Sequence, residues 1–295
     1  MPLASVVVAA YKSERTLSRF LESLRGQTFR DREVILIDSS PSSACQELVR
    51  GSFPEVVYRR FATQLSAFEA RNRGVRFARG QLLVFTDPDA YPRADWLQAL
   101  VDCYREDKAC VIGAVACHGD KWFDRGAHLV KFDKWLPSET SRLLTEGPTV
   151  NFLIPRDLFD RFGPFPEGSA HGDTELSWRL RSGGLQLRFA PAAIVEHHHL
   201  QGWIDLLAER FARGVGYAEL ESKWNGNAWP SMAWRLLISL LPLRLLSQLR
   251  RVRGHARAAG QEGDFFGAFP IVASALYAGL LGECVYFTRS ILSRS

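Results

Sequence analysis

The chain has 295 residues, 46% of them hydrophobic and 23% charged, with Gly 23 and Pro 14. This composition excludes a disordered chain, a collagen-like fibre and a disulfide scaffold. The net charge of +5, from 37 Lys+Arg against 32 Asp+Glu, admits an anionic partner without naming one.

The first elements alternate. Ser5–Ala10, Glu33–Asp38 and Gln81–Thr86 are short apolar runs bounded by polar residues, and each is expected as a buried strand. Between and after them, Leu17–Leu24 (closed by Gly26), Leu65–Ala78 and Ala94–Glu106 carry apolar residues at helical spacing. This order implies an α/β fold with parallel strands and right-handed crossovers. Ligands of such sheets bind beyond the carboxyl ends of the strands. Those ends are followed by Tyr11-Lys12-Ser13, Asp38-Ser39-Ser40 and Asp87-Pro88-Asp89. Neither a dinucleotide fingerprint nor a P-loop follows the first strand. Further on, Thr174–Ser182 is expected as a helix opened by Asp173, and Leu185–Phe189 as a strand stopped by Pro191.

Cys45, Cys103, Cys110, Cys117 and Cys284 form no C-x-x-C pair and lack the companions of a metal set. Buried free thiols in a reducing cytosol are expected. The N-terminus enters a strand without the charged region of a signal peptide.

The stretch Ala228–Ala259 has no Asp or Glu, but it holds Arg235, Arg244, Arg250, Arg251, Arg253 and Arg257 among Trp and Leu residues. That surplus exceeds the net charge of the whole chain. An interfacial amphipathic helix is expected, its arginines toward anionic head groups. Phe265–Gly282 is an uncharged run at the ~18-residue threshold of a spanning helix. It reads equally as a span or as a buried or re-entrant helix. Two helices packed on the catalytic domain, or a homodimer interface, are the alternatives for this tail. The hydrophobic setting of the basic stretch argues against a nucleic-acid partner.

Asp87-Pro88-Asp89 places two carboxylates at a turn after a buried strand, a donor set that suits Mg²⁺ or Mn²⁺ beside phosphate oxygens. With it come Ala70-Arg71-Asn72-x-Gly74, Ala78-Arg79-Gly80, Asn151–Arg156, Gly163-Pro164-Phe165 and Gly172-Asp173-Thr174-Glu175. From the first strand to His197 this series closely resembles the family 2 glycosyltransferases. The resemblance implies a GT-A fold, a Rossmann-like and mostly parallel sheet flanked by helices, followed here by a C-terminal helical hydrophobic extension. A catalytic domain is expected over 1–227, and the basic, apolar tail is expected as a membrane-associating extension over 228–295. The resemblance also implies inverting transfer of a sugar from a nucleotide-diphosphate-sugar, with a divalent metal (Mn or Mg) as cofactor.

Carried over residue by residue, Asp38 falls on the base- and ribose-binding aspartate, with Tyr11 at the same rim. Asp87 and Asp89 fall on the metal and diphosphate motif, and Asp173 on the catalytic base. His197 falls where some members add a metal ligand or diphosphate contact, leaving His198 and His199 to solvation or packing. Arg71, beside Asn72, suits either a diphosphate contact or a structural salt bridge. Two departures stand out: Ser39 and Gly172 occupy positions where many members carry a second acid. The absence of Q-x-x-R-W implies single transfer rather than polymerisation. A glycan or lipid-linked acceptor at the cytoplasmic face of the plasma membrane is expected. The alternatives are a sugar nucleotidyltransferase and a catalytically inactive binding module on a membrane surface.

Overall fold

The computed structural model describes residues 1–226, 229–240 and 242–293. In chain order the elements are β1 (Ala4–Ala10), α1 (Leu17–Arg25), β2 (Arg32–Asp38), α2 (Ala44–Ser52), β3 (Val57–Arg60), α3 (Ala67–Val75), β4 (Leu82–Thr86), β5 (Ala90–Pro92), α4 (Trp96–Asp107) and β6 (Cys110–Cys117). There follow α5 (Trp122–Phe132), a single 3₁₀ turn (Asp133–Trp135), β7 (Leu143–Leu144), β8 (Asn151–Pro155), α6 (Arg156–Phe162), α7 (Gly172–Ser182) and β9 (Leu187–His197). The chain ends in α8 (Trp203–Asn225), α9 (Trp229–Leu240), α10 (Pro242–Ala258), α11 (Glu262–Gly267) and α12 (Phe269–Leu292). It divides into two compact units: residues 1–116 with 137–198, and residues 117–136 with 199–295. The division expected at 227/228 falls on residues outside those described.

The first unit is built on one mixed sheet, ordered β3-β2-β1-β4-β8-β6-β9-β5, with β7 added on β9. The half from β3 to β4 is parallel, with Ala10 opposite Asp38 and Val8 opposite Thr86. The other half begins where β8 runs antiparallel to β4, and β5 runs antiparallel to β9. β1, β2 and β4 are covered on both faces, which is why their residues form unbroken apolar runs. The expected strands and helices of this half are all present, with small differences at their ends.

The glycines and polar residues of the motifs hold this half together. A Cβ on Gly74 would lie 2.5 Å from Val7 Cγ1 and 3.2 Å from Ile37 Cγ1, so a side chain here would push α3 off the sheet. A Cβ on Gly80 would lie 2.7 Å from the backbone of Ser5. Beneath that turn, Glu33 accepts from the Ser5 hydroxyl (2.7 Å), the Arg79 N–H (2.6 Å) and Arg79 Nε (3.0 Å). Asn151 donates to the Ala114 and Ala193 carbonyls and accepts from Trp96 Nε1, all at 2.8 Å, tying β6, β9 and α4 to β8.

One expectation needs correction. Pro191 does not stop its strand; β9 runs on to His197. β7 pairs Leu187 and Arg188, and β5 takes up from Val195. Pro191 sits between these two stretches, where its missing N–H removes a bond from neither ladder.

The second unit is helical. Its core joins Ala127 and Val130 of α5, Leu206 of α8, Val252 and Ala256 of α10, Phe265 of α11 and Ile271, Val272 and Ala275 of α12. α8 and α12 meet backbone to backbone: a Cβ on Gly214 would overlap the Gly279 carbonyl, and one on Gly282 the Phe211 carbonyl. The basic stretch forms α9 and α10; Leu241, between them, lies outside the described residues. Its arginines are largely engaged within the unit. Arg235 pairs with Glu221, Arg244 with Glu283 at 2.6 Å, Arg251 with Asp133 at 3.2 Å and Arg253 with Glu262 at 2.8 Å. The apolar run from Phe265 is divided between α11 and α12, and α12 is long and apolar enough to cross a membrane, though half of its most apolar stretch is buried in the unit. All five cysteines are free thiols; Cys45, Cys110 and Cys284 are buried, and Cys103 and Cys117 are half-buried.

Glu33 supplies a pH signature. Burial pushes its carboxyl up, but the Arg79 N–H, the Ser5 hydroxyl and the Arg79 side chain outweigh burial and hold it below the ordinary 4.5. A depressed folded-state value means stability that is present above pH 4.5 and lost as pH falls below it. Glu33→Gln should therefore lower stability by about 1–3 kcal/mol near neutral pH and flatten the acid limb. Denaturant melts over pH checks both effects.

Candidate active site

The loops after β1 and β2 are laced together. The Ser39 N–H donates to the Ala10 carbonyl (3.1 Å), and the Lys12 N–H to Ser40 Oγ (2.8 Å). Lys12 is held at φ 52°, a left-handed conformation uncommon for a lysine, and its ammonium lies 5.2 Å from the ring of exposed Tyr11. At the end of β2, Asp38 is buried. Its Oδ1 accepts from the Ser40 N–H at 2.8 Å and its Oδ2 from the Tyr58 hydroxyl at 2.6 Å. Burial and this bond both push the Tyr58 phenol well above its ordinary value, so it remains a donor. Tyr58 lies on β3, an edge strand that sequence reasoning passed over. The alternation Val57, Tyr58, Arg59 was its only signal.

The acidic turn is divided between two partners. Asp87 Oδ1 receives Nη2 of Arg71, which is almost fully buried, so Arg71 is engaged as an ion-pair partner. Asp89 faces the other way. The pairing of Ala90 with His197 across β5 and β9, reinforced by His198 N–H donating to the Asp89 carbonyl (2.8 Å), sets Asp89 Oδ2 3.7 Å from His197 Nε2. Residues more than a hundred positions apart are thus joined by two short backbone stretches. His198 approaches Tyr91, its Nδ1 3.3 Å from the hydroxyl, while the Arg19 guanidinium lies 4.7 Å from that ring.

Asn72, expected at the donor, has its amide engaged at both ends by Phe165. Nδ2 donates to the Phe165 carbonyl at 2.9 Å, and Oδ1 accepts from its N–H at 3.0 Å. Asp173 stands in the first turn of α7, with Oδ1 accepting from the Thr174 N–H at 2.9 Å. Phe68 joins this end of the site to the acidic turn. Its ring lies 5.3 Å from the Arg71 guanidinium and 5.2 Å from the Phe165 ring, and a Cβ on Gly172 would sit 2.8 Å from it. Nothing in the local sequence marks Phe68, since the contact depends on how α3 meets α7. The glycine at 172 is where the aromatic ring rests, which explains why no acid precedes Asp173.

The profile described as "Glycosyl transferase family 2" matches residues 5–163. The chain belongs to this family. Among curated relatives, glycosyltransferase AglE of Haloferax volcanii is 22% identical over 232 residues, covering 75% of this chain and 74% of its own. Pre-mycofactocin glycosyltransferase of Mycobacterium tuberculosis is 24% identical over 303 residues and covers 94% of this chain, which spans only 62% of that relative. Among solved structures, the mannosyltransferase PcManGT from Pyrobaculum calidifontis, in complex with GDP-Man and Mn²⁺, superposes with a TM-score of 0.57 at 17% identity, over 92% of this chain and 87% of its own. The chain is a glycosyltransferase of GT-A fold.

The Phe68–Gly172 contact is testable. Gly172→Ala should cost about 1–3 kcal/mol through overpacking, and less in a Phe68→Leu background where the ring has gone. Thermal melts of the two single variants and the double variant give the coupling; additive effects would mean that the ring does not press on position 172.

Proposed function

We propose that this enzyme transfers one sugar per encounter from a nucleotide-diphosphate-sugar to an acceptor hydroxyl, by inverting displacement at the anomeric carbon. The observation that carries the reading is the apposition of Asp89 and His197, a carboxylate and an imidazole held by paired backbone at the carboxyl end of the parallel strands. An oxygen–nitrogen donor set of this kind fits Mn²⁺, and Asp89 and His197 would hold the ion with Asp87 adjacent. When bound, the ion offsets the charge that accumulates on the departing diphosphate.

The remaining roles belong to the side chains. Arg71 fixes Asp87 and adds positive charge along the diphosphate. Tyr11 offers an exposed ring to the donor base. Asp38, buried with one bond already on each oxygen, sets the end of β2 and the Ser39-Ser40 turn for the ribose side of the donor, and Tyr58 and Ser40 keep it oriented. Asp173 takes the proton of the acceptor hydroxyl on Oδ2 as that oxygen attacks, while Thr174 holds Oδ1. General-base assistance of this kind contributes roughly 10²–10⁴-fold.

The acceptor is proposed to be a lipid-linked or cell-envelope glycan, met at the cytoplasmic face of the membrane. The support is the distribution of exposed apolar side chains. Among the described residues, the large ones outside the second unit are Met1, Tyr11, Phe77 and Leu143; the second unit exposes Trp203, Ile204, Trp234, Leu243, Phe266 and Leu292 among others. With most of the basic-stretch arginines paired internally, apolar insertion rather than free positive charge drives the association.

Three outcomes are expected. Asp173→Asn should retain donor affinity by calorimetry and lose transfer by about 10²–10⁴-fold; near-normal turnover would remove it as the base. His197→Ala should raise the Mn²⁺ concentration required for half-maximal rate, with nucleoside diphosphate as the product. Release of pyrophosphate would instead indicate nucleotidyl transfer. In vesicle flotation the double variant Ile204→Asp/Leu243→Asp should bind less than wild type, and equal binding would overturn the membrane reading.

A further inference from the structure

A second group of potential ligands lies wholly within the helical unit. Cys117 ends β6, His128 stands in the middle of α5 and His199 follows β9 by two residues. One ligand atom from each falls within 4.8 Å of the other two. Both histidines are nearly inaccessible, at 1% and 6% exposure. His128 Nδ1 and His199 Nε2 point at one another across 3.2 Å, with the rings at 74°. Two nitrogens bound to one tetrahedral zinc at ~2.0–2.1 Å are separated by about 3.3–3.4 Å, so the observed pair is already spaced as an edge of such a site. The sulfur is close by, donating to the Gly119 carbonyl at 3.3 Å. Gly119 in turn lies against the Asp124 carboxylate, one helical turn before His128.

We propose that Cys117, His128 and His199 bind a zinc ion, separate from the divalent ion of the sugar-transfer site. The chemistry separates the two. A thiolate with two imidazoles is a soft to intermediate set that selects Zn²⁺, whereas Asp89 and Asp87 present hard oxygens. Three protein ligands leave a fourth position for water, with the Asp124 carboxylate nearby to balance charge. On binding, a Zn–S bond forms as the thiol proton leaves to solvent. The proton between the two imidazoles moves to an outward ring nitrogen, so that both inward lone pairs reach the metal. The placement suggests the purpose. Cys117 and His199 are the first residues of the two chain segments that make up the helical unit. An ion held by both, and by α5, would staple the beginnings of these two segments to each other.

The experiment uses the full-length protein, stripped with chelator and titrated with Co²⁺ as a spectroscopic substitute for Zn²⁺. A Co–thiolate charge-transfer band in the near ultraviolet is expected at one equivalent, displaced by Zn²⁺ and insensitive to excess Mg²⁺. It should disappear in Cys117→Ser and in His128→Gln, and persist in Cys103→Ser and in the double variant Asp89→Asn/His197→Ala. Zn²⁺ should also raise the Tm of the stripped wild type but not of Cys117→Ser. A wild-type protein that develops no thiolate band at saturating Co²⁺ overturns the proposal without recourse to any variant. So does a band that survives Cys117→Ser.

Discussion

The candidate site of this molecule depends on one short backbone pairing. β5 is three residues long, yet its antiparallel register with the end of β9 decides which side chains meet. Shifting that register by one residue would turn His197 to the opposite face and carry it away from Asp89, because neighbouring side chains on a strand alternate. The turn at Pro88 and the His198 N–H on the Asp89 carbonyl pin the register from both sides. Asp89 reaches this pairing from the end of β4, whose residues are buried throughout, while β9 lies further along the sheet, beyond β8 and β6.

The parallel half of the fold was legible because its strands are apolar throughout and its helices are periodic, so pattern and burial coincide. The short strands were less so. β3, at the parallel edge, and β5 and β7, in the antiparallel half, are only two to four residues long and gain their conformation from neighbours rather than from their own composition. Pro191 misled for the same reason: a proline terminates a strand only where a ladder requires its N–H. At the candidate site, residue types singled out Asp87, Asp89, Asp173 and His197 as proposals. They could not announce that Arg71 would take Asp87, that Asn72 would clamp the Phe165 backbone, or that Tyr58 would hold Asp38. Those depend on pairings between distant segments.

Charge is the plainest example of a sequence property whose meaning changes with structure. The arginines of α9 and α10 form a one-signed block when written out, but acids arrive from α8, α11, α12 and the 3₁₀ turn to meet them. Asp133 receives both Arg251 at 3.2 Å and His255 Nδ1 at 2.7 Å. In the same unit Arg210 is half-buried, and desolvation pulls its guanidinium down to about 10. The unit is therefore an apolar bundle with internal ionic cross-ties, and its outward character is set by tryptophan, leucine and phenylalanine.

The ring of Phe68 has a consequence for how far this site can be altered. It lies where a side chain ahead of Asp173 would begin, and the same ring neighbours the guanidinium that anchors Asp87. A carboxylate at position 172 would therefore have to displace a ring that also borders Arg71. Any redesign that restores the acid must also make room at position 68, so the two positions are to be exchanged as a pair.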